Sequence, residues 1–135
     1  MTKLYLDIDG VLIGREGKPA DGLVEFLAYA TERFECYWLT THCDGDSDQV
    51  FLYLVGRVPA EAIAYVERIR PTKFGALKTE GIDFTGPFYW LDDTVFESEQ
   101  MVLETHGAKQ SFLHTDINRD PDALRQQLDF LQGVL

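Results

Sequence analysis

Cysteine, basic residues and long apolar runs are all scarce in this chain. Two cysteines, Cys36 and Cys43, stand among 135 residues. That is too few for a disulfide scaffold, and their spacing matches no zinc-binding pattern. They read as ordinary thiols. No apolar stretch approaches the roughly 20 residues that span a bilayer. The N-terminus lacks the basic start and apolar run of a secretory signal. The expectation is a cytoplasmic protein with no membrane partner. Repeats and low-complexity tracts are missing too. Lysine and arginine number 12 against 23 acidic residues, giving a net charge of −11. A polyanion would be repelled, so general nucleic-acid binding is not expected. One stretch runs against this balance. "RIRPTKFGALK" gathers Arg68, Arg70, Lys73 and Lys78, a cationic spot that suits a small anion or a solvated helix face.

Hydrophobic residues make up 45% of the chain, which fits a globular protein rather than a disordered one. The length suits one domain over residues 1–135. Lys3 to Asp7 reads as a buried strand, and "FECYWLT", "PFYWL" and "SFLHT" read as three more. Between them lie helical patterns: "DGLVEFLAYATERF", "DQVFLYLV", "VFESEQMVLETHG" and "PDALRQQLDFLQG". "TKFGALKTEG" also reads as helical, with Thr72 as cap and Gly81 as stop. "PAEAIAYVERI" suits a short helix, although "AIAY" within it also suits a strand. Alternating strands and helices predict an α/β protein with a mainly parallel sheet, a Rossmann-like three-layer sandwich. Such sheets bind ligands beyond the carboxyl ends of their strands. Asp7, Thr40 and Asp92 each end a separate predicted strand.

Three polar groups converging on one edge have a definite chemistry. Carboxylates held together repel, and each resists ionisation unless a cation is present. Hard oxygen ligands suit magnesium, which also attracts phosphate. An aspartate can attack phosphorus to give an aspartyl-phosphate, and a second acid can move protons. A lysine can neutralise the transferring group.

The motifs in order carry a resemblance. "LYLDIDGVL", "CYWLT", a lysine and "FYWLDD" resemble the four motifs of the haloacid dehalogenase (HAD) superfamily, over Leu4 to Asp93. The resemblance implies a magnesium-dependent phosphohydrolase of HAD-like fold. Asp7 would be the nucleophile and a metal ligand. Asp9 would be the general acid/base, its main-chain carbonyl also on the metal. Thr40 would orient the phosphate, with Thr41 as competitor, since strand neighbours face opposite ways. Asp92 and Asp93 would complete the metal site. For the lysine, a helix over 72–81 favours Lys73 at its start, with Lys78 about one and a half turns on, facing elsewhere. An Asp at position 9 resembles the family's phosphatases rather than its dehalogenases.

The gaps between motifs hold no full cap domain, and residues 10–20 offer at most a small flap. An open site of this kind goes, in the family, with macromolecular phosphates or with mutually capping oligomers. The phosphorylated substrate stays open between small molecule and macromolecule. The alternative function is a catalytically quiet HAD-like module that binds a phosphorylated ligand or a partner protein. Asp44, Asp46 and Asp48 alternate like a calcium loop, but Gln49 and Val55 stand where that loop needs glycine and glutamate. His42, in the same loop, borders the expected site.

Overall fold

The computed structural model describes residues 1–134. Four strands form one all-parallel sheet: β1 (Lys3–Leu6), β2 (Glu35–Trp38), β3 (Phe88–Asp92) and β4 (Phe112–His114). The α-helices are α1 (Leu23–Arg33), α2 (Asp48–Leu54), α3 (Ile63–Val66), α4 (Glu97–Thr105) and α5 (Ala123–Val134). The expected α/β architecture is present, and it is compatible with a Rossmann-like fold.

The strand order is β2-β1-β3-β4. From β1 the chain first builds outward to β2, then returns to β1's other side with β3. The order reverses there, and the crevice beyond the strand ends at such a reversal is where α/β sheets bind ligands. Leu6, the last residue of β1, pairs with Trp38 on one side and Leu91 on the other. Asp7 follows immediately, and its amide donates to the Leu91 carbonyl at 3.1 Å. Asp92 ends β3. The two acids are therefore neighbours because their strands are.

Period-two alternation sends successive strand residues to opposite faces. Leu4, Leu6 and Leu91 join a core with Phe26 and Leu27 of α1 and Leu124 and Leu131 of α5. Tyr5, Phe88 and Trp90 join a second cluster, with Leu103 of α4. Burial on both faces explains why these strands read as apolar runs rather than as alternating ones.

Three local readings change. "PAEAIAYVERI" is helical: a 3-10 turn at Ala60–Ala62 runs into α3. The stretch over 72–81 is not a helix; only Lys78–Gly81 closes, as a 3-10 turn. Thr72 donates its hydroxyl proton to the Trp38 carbonyl at 2.5 Å, and the Gly45 amide donates to the Thr72 carbonyl at 3.0 Å. The Glu80 carboxylate accepts the amides of Gly75 at 3.0 Å and Leu77 at 3.3 Å. These bonds satisfy the backbone without a helix. The expected flap is half core. Val11, Leu12 and Ile13 are buried, and the amides of all three donate to the Ile8 carbonyl. Only residues 14–19 stand outward.

Both cysteines are free and buried. Burial pushes the Cys36 thiol up to about 12. Cys43 Sγ lies 3.3 Å from the carbonyls of both Asp46 and Thr72, fastening the loop after β2 to the stretch that leads to Lys78.

Candidate active site

At the carboxyl ends of β1 and β3, Asp7, Asp92 and Asp93 each bring a carboxylate oxygen within 4.8 Å of the others. Gly10 makes room for this. Its φ is +84°, a left-handed conformation that suits glycine, and a β-carbon there would collide with the Asp93 carboxylate. The glycine of "DIDG" thus has a steric reason to be where it is.

Lys78 is the lysine at this centre. Its Nζ donates to Asp92 Oδ2 at 2.6 Å and lies 3.4 Å from Asp7 Oδ1. Lys73, the residue the expected helix favoured, is exposed and lies along Gly45 in the loop after β2. The reason is the missing helix: an irregular 72–77 carries Lys73 away, and the 3-10 turn delivers Lys78 instead. Burial works against the Lys78 charge, but the carboxylates of Asp7 and Asp92 outweigh it and hold the ammonium above the usual lysine range.

Asp92 is 1% exposed. Its Oδ2 also accepts from Trp90 Nε1 at 3.3 Å, and its Oδ1 from the Thr94 amide at 3.1 Å. Burial and the charge of Asp7 push its carboxyl up to about 8, against the pull of Lys78. Three acids against one ammonium leave two negative charges uncompensated when all are ionised. An all-carboxylate set of this charge fits a hard divalent cation. A metal must displace the proton held on Asp92, so affinity rises with pH and levels off above about 8. In the metal-free protein the sign is reversed. A raised carboxyl contributes stability that is complete below its unfolded value and lost as pH rises towards 8. Calorimetric titration of magnesium from pH 6 to 9 checks this. An affinity flat across that window would mean that no proton leaves Asp92.

Asp9 points elsewhere. Its side chain is 58% exposed. The Tyr53 hydroxyl of α2 donates to Oδ1 at 2.6 Å, and His42 Nε2 lies 2.8 Å from Oδ2. An ionised carboxylate only accepts, so this imidazole nitrogen carries the proton. The two rings stack at 4.0 Å, and the Arg57 guanidinium covers Tyr53 at 4.2 Å. Burial opposes ionisation of Asp9, but the hydrogen bonds from Tyr53 and His42 prevail and hold its carboxyl below the usual range.

Thr40 is buried, and its Oγ1 accepts from the His42 amide at 3.3 Å. Thr41 is exposed and lines the cleft over the acids. Two further residues were not expected here. Tyr53 lies within the helical stretch "DQVFLYLV". Glu99 lies in the first turn of α4 and is 2% exposed. Its Oε1 accepts the Phe96 amide at 2.9 Å and its Oε2 the Lys78 amide at 2.7 Å, so it ties the lysine turn to the start of α4.

No protein-family model, curated protein or solved structure matches this chain. The chemistry of the site is therefore argued from its geometry.

Proposed function

We propose that this protein is a magnesium-dependent phosphomonoesterase of HAD-like type, working through a phosphorylated Asp7. One observation carries the reading: Asp7, Asp92, Asp93 and Lys78 meet at the switch point of a parallel sheet. Asp7 is the nucleophile. Its carboxylate oxygen bonds to phosphorus as the ester P–O bond breaks; Asp9, ionised at rest, first takes up a proton from solvent and then gives it to the departing oxygen. Asp9 then takes a proton from water, whose oxygen attacks phosphorus and releases phosphate and the free Asp7 carboxylate. Tyr53 and His42 fix the direction of Asp9. Lys78 offsets charge on Asp7 and on the phosphoryl group. The Thr40 hydroxyl proton, with no acceptor among the described residues, is available to a phosphoryl oxygen.

The carboxylates of Asp7, Asp92 and Asp93, with the Asp9 carbonyl, would hold the magnesium. Bound there, the ion would neutralise the acids and draw electron density from the phosphoryl oxygens.

The test is hydrolysis of a panel of aryl, alkyl and sugar phosphates with magnesium, then with chelator. Release of phosphate in magnesium alone is expected. Binding without any turnover would leave the quiet module as the better description.

A further inference from the structure

Phe74 and Phe96 stand on the walls of the cleft that holds Asp7, Asp92 and Lys78, a cavity of about 420 Å³. Phe96 is 56% exposed. Phe74 is partly buried against the cluster around Trp90. Neither ring pairs with another aromatic side chain among the described residues.

A lone exposed phenylalanine means little, because apolar atoms make up most of any protein surface. This pair is different in its placing. Both rings border the reactive carboxylates, and both sit on fixed backbone. The buried Glu99 carboxylate holds the amides of Phe96 and Lys78. Glu80 holds those of Gly75 and Leu77, on the loop that carries Phe74. The rings are thus presented at a set distance from the lysine. Rigid walls do not have to be ordered when a ligand arrives, which improves binding.

We propose that the cleft selects phosphate monoesters whose organic part is a flat aromatic group, close to the phosphate and flanked by Phe74 and Phe96. This rests on the phosphatase reading of the same site. A ring loses little by leaving water, and it gains contact with the two phenyl faces. A sugar or polyol would give up hydrogen bonds to water against two phenyl faces that return none. The volume suits one small ligand. With a net charge of −11, the protein also disfavours substrates that carry many further phosphates. Aromatic contacts of this kind suggest a preference of roughly tenfold.

Binding of non-hydrolysable phosphonates tests the clamp apart from the chemistry. Benzylphosphonate and methylphosphonate are titrated calorimetrically into the protein with magnesium. The expected result is roughly tenfold tighter binding of the benzyl compound, with the ratio falling towards one in Phe96→Ala. Phe96 is exposed, so this variant should keep the wild-type melting temperature, and Phe74→Ala serves as a second probe. Equal affinities in the wild type overturn the proposal, as does a preference that survives both substitutions. Selective binding without turnover of any ester supports the clamp and sinks the phosphatase reading alone. Equal kcat/KM on aryl and sugar phosphates sinks the clamp and leaves the phosphatase standing. Binding of neither phosphonate counts against both.

Discussion

Asp7→Asn is expected to stop turnover on every phosphate ester, by roughly four orders of magnitude, while leaving the protein folded. Asparagine keeps the size of the side chain but not the nucleophilic oxygen. The fold should tolerate it well. Asp7 and Asp92 repel each other, and removing one charge leaves the 2.6 Å contact between Lys78 and Asp92 intact. In the metal-free protein the melting temperature should stay level or rise. This combination separates a nucleophile from a structural acid, whose loss would lower both stability and rate. Acid quench of the wild type during turnover should also trap a phosphoryl group on Asp7, absent from the variant. A variant that hydrolyses at the wild-type rate would remove Asp7 from the mechanism.

What the sequence made legible follows from how locally each feature is encoded. The strands were readable because burial on both faces gives unbroken apolar runs. Their carboxyl ends were readable because acids in such places have few other uses. Asp7, Asp92 and Asp93 needed only that β1 and β3 be adjacent, which is common in parallel sheets. The lysine needed more. "TKFGALKTEG" has helix formers and a plausible cap, and local propensity alone gives Lys73 the better position. The structure is decided by bonds that propensity does not contain: Thr72 to the Trp38 carbonyl, and Glu80 to the Gly75 and Leu77 amides. Gly75, in the middle of the stretch, was the available warning. Glu99 is similar. In "FESEQMV" Glu99 stands three residues after Phe96 and can reach back to its amide, but the Lys78 amide, 21 positions away, is what makes it a buried strut. His42 and Tyr53 meet on Asp9 because α2 folds back over the loop after β2, a geometry with no period to read.

Lys78→Met is the sharper test of that correction, with Lys73→Met beside it. The Lys78 side chain is 17% exposed, and its ammonium is the cation between Asp7 and Asp92. Methionine keeps much of the volume and removes the charge. Breaking a buried ion pair from one side costs about 3–5 kcal/mol. Part of that is recovered here, because Asp92 can take up a proton. The loss therefore depends on pH. Without Lys78 the Asp92 carboxyl moves further above its unfolded value than burial and Asp7 already hold it. The stability tied to its proton stops falling in the wild type above about 8 but goes on falling in the variant, so the gap between them should widen from pH 7 to pH 9. Magnesium should narrow it by replacing the missing charge. Turnover should fall by roughly two to three orders of magnitude, as when one charge-stabilising group is removed from an active site. Lys73→Met should melt within about 0.5 kcal/mol of wild type, as exposed substitutions do, and should retain turnover. Melting curves of the metal-free proteins at the two pH values, with rates in magnesium, decide it. If Lys73→Met is the variant that fails, the lysine at the strand ends has been assigned to the wrong residue.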